Sequence, residues 1–173
     1  MEIYLIRHTA PELTPGLIYG RLEVSLTGGF IRESEVVSNN LPNDLDCVYS
    51  SPALRCTLLA AELTGSFTTD PRLAELHFGD WEGKTWDSVD QTDLQIWMDD
   101  FINVRVPGGE SMLDLRNRVE EFWQELMQKT HEKVAIVTHA GVIRMLLTLH
   151  RQSAMEDFFK IEVAYGQVIL INP

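Results

Sequence analysis

Long apolar runs are absent from the 173-residue sequence, and none approaches the ~20 residues that a membrane-spanning helix requires. No basic region precedes the first strand-like run, so we expect no secretory signal and a cytoplasmic location. Cysteine is also scarce. The two cysteines, Cys47 and Cys56, lack the spacing of a metal site, and we expect reduced, buried thiols rather than a disulfide framework.

Basic residues are few, with 14 Lys and Arg against 26 Asp and Glu and a formal net charge of -12. This balance argues against a nucleic-acid partner, whose affinity depends on neutralising many phosphates. It leaves room for a small phosphorylated substrate, because a few local arginines outweigh a distant acidic surface. No Gly-rich phosphate loop, Gly-x-Ser-x-Gly elbow or His-x-x-x-His pair occurs. We expect a small-molecule partner and neither nucleic acid nor membrane; the oligomeric state, a homo-oligomer included, stays open.

Apolar runs alternate with helical patterns along the chain. Short apolar runs predict strands, and apolar residues at steps of three and four predict helices. The predicted strands are 2–6, 47–49, 134–137, 157–164 and 167–172, and the predicted helices are 53–64, 112–127 and 141–150. Ser111 and Asp114 resemble a capping box at the start of the second helix.

Alternating strands and helices predict a three-layer α/β/α sandwich with a mainly parallel central sheet. The length suits one domain, 1–173, with a core large enough to be stable without disulfides or structural metal ions. The segment 77–110 differs in character, with three tryptophans among many acids. We interpret it as an excursion that covers a site rather than as a second domain.

Charged and imidazole side chains follow three of the predicted strands. Arg7 and His8 end the first strand, and Arg55 lies in the first turn of the helix after the second. His139 follows the strand 134–137. Ligands bind at the carboxyl ends of parallel strands, so we expect these side chains to converge on one crevice. Two arginines and two histidines there form a site for a doubly charged anion.

Each of these residues alone has a plainer explanation. A lone histidine at a strand end is more often simply hydrogen-bonded, and we assign His77, His131 and His150 structural roles. An arginine in a first helical turn opposes the helix dipole, so Arg55 indicates an external anion only modestly.

Five segments, in order, resemble the motifs of the histidine phosphatase superfamily, the phosphoglycerate mutase-like proteins. They are 5–9 (LIRHT), 49–56 (YSSPALRC), 73–83 (LAELHFGDWEG), 107–111 (PGGES) and 137–144 (VTHAGVIR). The resemblance covers most of the chain, and it implies a phosphatase with the phosphoglycerate mutase-like fold.

The resemblance implies a role for each matching residue. His8 would attack phosphorus and become phosphohistidine, while Arg7, Arg55 and His139 hold the phosphoryl oxygens. Glu75 would donate a proton to the leaving group and later accept one from water, although by itself it looks like a solvated loop acid. We expect the arginines to depress the pKa of His8, which must be neutral to attack. No metal or other cofactor is implied.

Two segments depart from the common family pattern. The opening Arg-His-Gly-Glu-Thr-x-x-Asn has Thr14 at its Asn position, often a phosphoryl contact, so Thr14 is only a candidate phosphate-binding residue. The usual Leu-Thr-x-x-Gly is Leu-Thr-Gly-Gly-Phe at 26–30, which we expect to change only the start of a helix.

The segment 15–26 resembles alpha-ribazole phosphatases, which often have Gly-x-x-Tyr-Gly-x-x-Asp-x-x-Leu here. Tyr19, Gly20 and Arg21 are therefore candidate substrate-binding residues. The lead hypothesis is removal of phosphate from alpha-ribazole 5'-phosphate in cobalamin biosynthesis, with Tyr19 and the tryptophans of 77–110 as an aromatic wall. The alternatives are a broad-specificity or sugar-phosphate phosphatase, then a phosphoglycerate mutase, and finally a catalytically inactive binding protein.

Overall fold

A five-stranded sheet organises the computed structural model, which describes every residue from Met1 to Pro173. The strands are β1 (Glu2–Arg7), β2 (Cys47–Ser50), β3 (Thr68–Thr69), β4 (Lys133–Thr138) and β5 (Val168–Ile171). Their order across the sheet is β3-β2-β4-β1-β5, and β5 alone runs antiparallel to its neighbour. The prediction of a mainly parallel sheet is confirmed.

Five α-helices accompany the sheet. They are α1 (Phe30–Ser38), α2 (Leu54–Leu63), α3 (Gln91–Asp99), α4 (Met112–Leu126) and α5 (Ala140–Arg151). The three predicted helices correspond to α2, α4 and α5 within one residue at each end. The capping box of α4 is present, with reciprocal bonds between Ser111 and Asp114. None of the helices combines the length and the apolar character needed to cross a bilayer.

The two faces of the sheet bury separate apolar clusters. Val134 and Ile136 of β4 belong to a cluster of 26 buried residues that includes the apolar sides of α4 and α5. Ala135 and Val137, which alternate with them, belong to a cluster of 8 residues shared with α1 and α2. Successive side chains of a strand point to opposite faces, so β4 is covered on both sides. The predicted three-layer arrangement is confirmed.

The prediction of a strand over 157–164 is wrong. Met155–Lys160 form a 3₁₀ helix, and the chain then runs as a loop to β5. Alternating apolar residues here fill the core without pairing: Phe158 and Val163 are buried in the larger cluster. The carbonyl groups of this loop accept from arginine side chains instead of from a neighbouring strand. The following run, predicted as 167–172, does form β5.

The segment 77–110 packs into the larger core. Trp81 and Trp97 are buried, at 2% and 6% exposure, and Trp86 stacks against Trp97 with ring centroids 6.2 Å apart. The tryptophans therefore anchor this segment to the body of the protein. That 77–110 covers a site stays a prediction.

The capping box gives a test of local stability. Replacing Ser111 with Ala removes the hydroxyl that accepts from the Asp114 backbone amide. We expect the free energy of unfolding to fall by about 1 kcal/mol, the usual cost of losing an N-cap. Urea denaturation measures this change, and Ser111→Thr, which keeps the hydroxyl, is the matched control. Equal losses in the two variants would show that the cap is not the cause.

Candidate active site

Three neighbouring parallel strands bring the predicted residues to one edge of the sheet. In the register of the sheet, Arg7 pairs with Thr138, and Ser50 pairs with Val137. His8, Ser51 and His139 are therefore the first residues beyond the ends of β1, β2 and β4. The imidazole rings of His8 and His139 lie edge to face, with centroids 5.2 Å apart. The predicted convergence at the carboxyl ends of the strands is what the fold produces.

His8 is buried, and the structure fixes its tautomer. Its Nδ1 lies 2.8 Å from the Thr9 carbonyl oxygen, which can only accept a hydrogen bond. Nδ1 therefore carries the hydrogen, and the lone pair is on Nε2. Burial, together with the smaller effect of the Arg55 and Arg7 charges, lowers the pKa of His8 to about 3. The arginines contribute as expected, but desolvation is the larger cause. His8 is thus neutral at physiological pH.

Arg55 and Arg7 place two positive charges beside His8. The buried Arg55 donates to the carbonyl groups of Leu22 (3.1 Å) and Gly20 (2.8 Å), and Arg7 donates to that of Val163 (2.6 Å). Neither arginine has a carboxylate within 4.0 Å, unlike the arginines of the surface ion pairs. The Nε atoms of both are buried without a partner. Buried charges and donors left unpaired are costly, so this arrangement is suited to an external anion.

His139 lies fully buried among polar groups. Its Nδ1 is 3.3 Å from an Arg55 amino group, which can only donate, and its Nε2 is 2.8 Å from the Ser51 hydroxyl. Nδ1 therefore accepts and Nε2 donates to Ser51. Burial holds the pKa of His139 well below its ordinary value, and the positive charges around it act in the same direction. A neutral His139 therefore has one donor, the Nε2 hydrogen, which can reach an anion only by leaving the Ser51 hydroxyl.

The Glu75 carboxylate lies at the N-terminus of α5. It accepts from the backbone amides of Leu76 (2.9 Å) and Gly141 (3.1 Å). A side chain at Gly141 would collide with this carboxylate, so glycine is required for the close approach. Glu75 and His139, which precedes Gly141 by two residues, line the same cleft of about 270 Å³. The structure thus brings Glu75 together with the other four predicted residues.

The other candidate residues divide into two groups. Gly20 approaches so closely that a side chain would meet the Leu76 carbonyl, and Arg21 donates from Nε to the Glu75 carbonyl at 2.9 Å. Tyr19 borders Arg55, with 5.3 Å from its ring centroid to the guanidinium carbon. Thr14, by contrast, is exposed, and its only hydrogen bond is from the Leu17 amide to its carbonyl. The structure does not bring Thr14 to the site.

Three residues that contact the site were not identified from the sequence. Ser51 is the partner of His139, and its place in the 49–56 motif was the available signal. Arg118 of α4 donates to the backbone carbonyls of residues 72, 74 and 75 and pairs with Glu110 at 2.9 Å, which fixes the loop that carries Glu75. Tyr165, which lies between the predicted strands 157–164 and 167–172, has its ring centroid 3.6 Å from the guanidinium carbon of Arg7. No sequence pattern marks Arg118, because arginine is common on exposed helix faces.

The arrangement has no cluster of three histidine, cysteine, aspartate or glutamate side chains placed to hold a metal ion. The chain itself supplies the positive charge of the site, through Arg7 and Arg55. A neutral imidazole with a free ring nitrogen, two arginines, a second imidazole and a carboxylate at the cleft are groups suited to phosphoryl transfer.

Comparison with known proteins agrees with this chemistry. The model of the histidine phosphatase superfamily (branch 1) matches residues 3–173. An alpha-ribazole phosphatase structure from Shigella flexneri superposes with a TM-score of 0.91 and 25% identity, over 99% of this chain and 90% of that one.

Two curated relatives have similar identities. Phosphoserine phosphatase 1 of Hydrogenobacter thermophilus is 27% identical over 84% of this chain and 74% of its own length. Adenosylcobalamin/alpha-ribazole phosphatase of Escherichia coli is 27% identical over 85% of this chain and 77% of its own length. With the family model matching nearly the whole chain, the protein belongs to the histidine phosphatase superfamily and is a phosphatase.

Proposed function

We propose that the protein hydrolyses a small phosphomonoester through a phosphohistidine on His8, and that the substrate is alpha-ribazole 5'-phosphate. The observation that carries the mechanism is the pair of buried guanidinium Nε groups without partners beside a neutral imidazole. No carboxylate of the protein neutralises the two arginines, so a bound phosphoryl group would be their counter-ion.

In the first step the Nε2 lone pair of His8 attacks phosphorus, and the bond from phosphorus to the ester oxygen breaks. Glu75, protonated at that moment, gives its proton to the departing oxygen. Arg7, Arg55 and His139 stabilise the charge that spreads over the phosphoryl oxygens. In the second step water attacks the phosphoryl group, Glu75 accepts its proton, and the P–N bond breaks. Phosphate leaves, and His8 regains its lone pair.

The phosphohistidine can be trapped. With ³²P-labelled substrate and a quench that avoids acid, we expect the label on His8, because Nε2 is the free nucleophile. His8→Ala should be inactive, whereas His131→Ala, a surface histidine changed in the same way, should be unaffected. Label on a serine, or full activity in His8→Ala, would refute the mechanism.

Glu75→Gln separates proton donation from charge stabilisation. For an alkyl phosphate the loss of a general acid should slow phosphohistidine formation by about 10²–10⁴-fold. Nitrophenolate leaves without a proton, so the pre-steady-state burst from p-nitrophenyl phosphate should be slowed far less. Breakdown of the intermediate should be slow for both substrates, because Glu75 also activates water.

Asp87→Asn is the matched control, because it removes an exposed carboxylate that does not line the cleft. Its burst should equal that of the wild type. If the burst in Glu75→Gln falls equally for both substrates, Glu75 is not the acid, and Asp80, Glu82 and Glu110 become the candidates.

The substrate proposal rests on the 15–26 segment and on aromatic rings near His8. Trp81 and Trp97 belong to the core, so these two tryptophans do not supply the expected aromatic wall. Trp86 is exposed, and its part in the wall stays a prediction. The Tyr19 ring lies beside Arg55. The alpha-ribazole phosphatase of Shigella flexneri has the same fold as this protein. In this position the Tyr19 ring is placed to stack on the planar benzimidazole group of the substrate.

One observation favours a second candidate, a small polar ester such as a sugar phosphate or phosphoserine. The cleft beside Glu75 is only about 270 Å³, and it is lined by Gly20, Arg21, Glu23, Pro52, Ala53, Ala74, Glu75 and His139. Charged groups of both signs suit a hydroxylated or zwitterionic leaving group better than an apolar one.

A substrate panel decides between the two candidates. We expect kcat/KM for alpha-ribazole 5'-phosphate to exceed that for glycerol phosphate and 3-phosphoglycerate by well over ~10-fold, which is more than about 1.4 kcal/mol of transition-state binding. Equal rates across the panel would favour a broad-specificity phosphatase. A preference for phosphoserine or a sugar bisphosphate would exclude the alpha-ribazole proposal.

A further inference from the structure

Two tyrosines lie beside Arg7 and Arg55, the arginines proposed to hold the phosphoryl oxygens. The hydroxyl oxygens of Tyr19 and Tyr165 are 2.5 Å apart. The Tyr165 ring lies 3.6 Å from the guanidinium carbon of Arg7, and 5.5 Å from the His8 ring between centroids. The Tyr19 ring lies on the Arg55 side, 5.3 Å from that guanidinium carbon. Each ring thus contacts one of the two arginines that hold the phosphoryl group.

The backbone holds Tyr165 firmly against the nucleophile. The amide of Gly166 donates to the His8 carbonyl (3.2 Å), and the amide of Arg7 donates to the Gln167 carbonyl (3.1 Å). Gly166 has a positive φ of 66°, which turns the chain at this point. The position of Tyr165 is therefore set by the same strand that positions His8, although the two residues are 157 positions apart in the sequence.

The hydroxyl pair leaves one hydrogen free. Two phenols carry two hydroxyl hydrogens, and one hydrogen bond between them uses only one. Arg7, which also interacts with the Tyr19 hydroxyl, can only donate, and no group of the protein accepts the second hydrogen. Burial raises the pKa of Tyr19, so its hydroxyl stays protonated across the physiological range. The pair consequently presents a neutral donor, with an unused hydrogen, next to two cations.

We propose that Tyr165, together with Tyr19, binds the substrate by donating hydroxyl hydrogen bonds to the phosphoryl oxygens. In this structure the two hydroxyls bond to each other. A bound phosphoryl dianion replaces that contact, and each hydroxyl then donates to an anionic oxygen, which forms a stronger bond than one between two neutral phenols. The proposal rests on the proposed function, because it concerns the same phosphoryl site.

Vanadate, which mimics the five-coordinate transition state, is the probe. Its affinity is measured by calorimetry on the full-length protein, and Tyr165→Phe keeps the ring on Arg7 while removing the hydroxyl. We expect vanadate to bind about tenfold more weakly or worse, on the scale of one hydrogen bond to a charged group. Tyr19→Phe should have a similar effect. kcat/KM for p-nitrophenyl phosphate should fall in parallel.

Tyr4→Phe is the matched control, since it removes a phenolic hydroxyl that bonds only to Glu2, away from the site. Its vanadate affinity should equal that of the wild type. Thermal midpoints confirm that each variant is folded at the assay temperature.

Unchanged vanadate affinity in Tyr165→Phe would overturn the proposal. Tighter binding would also overturn it, because the pair would then only obstruct the site. These outcomes are distinct from failure of the proposed function, which shows as the absence of label on His8 in the wild-type protein. Vanadate binding tests the tyrosines whether or not that label forms.

Discussion

Positive charge without an internal counter-ion is the constraint on which this structure depends. Arg55 is completely buried, and its guanidinium bonds only to backbone carbonyls and to His139. A carboxylate in the same place would satisfy the arginine and remove the reason for an anion to enter. The protein has 26 acidic residues, yet none pairs with Arg7 or Arg55. The site is held apart from the acidic remainder of the molecule by burial and by the choice of carbonyl oxygens as partners.

Several backbone segments are held in place by side-chain hydrogen bonds around these arginines. The turn at 19–22 supplies the two carbonyl groups for Arg55, and the Glu82 carboxylate accepts from the amides of Arg21 and Leu22 to hold the turn in place. Arg118 performs the same task for the loop of Glu75 by binding three of its carbonyl groups. The proposed catalytic groups are thus placed by two charged side chains, Glu82 and Arg118, which bond to main-chain atoms of the surrounding loops.

The sequence predicted the residues that follow strands and missed those that act from helices and loops. Periodicity located β1, β2 and β4, and the carboxyl-end rule then placed His8, Arg55 and His139 together from the sequence alone. Arg118 could not be found in this way, because it lies in a helix and the carbonyl groups that it binds are more than 40 positions away. The 157–164 error has a different cause: apolar residues in a short run predict a strand, but they can also be buried by a helical turn. Here Met155–Lys160 form a 3₁₀ helix that buries Phe158 in the larger cluster, and the outer edge of β5 stays unpaired.

The hydrogen bond from His8 Nδ1 to the Thr9 carbonyl has an evolutionary consequence. In many enzymes a carboxylate side chain selects the tautomer of the catalytic histidine, and a single substitution can remove it. Here the selecting group is a main-chain oxygen, which every amino acid carries. A substitution at position 9 consequently leaves the accepting oxygen in place, and with it the imidazole nitrogen that carries the lone pair. The most sensitive element of the chemistry is encoded in the path of the backbone, where point mutation reaches it least.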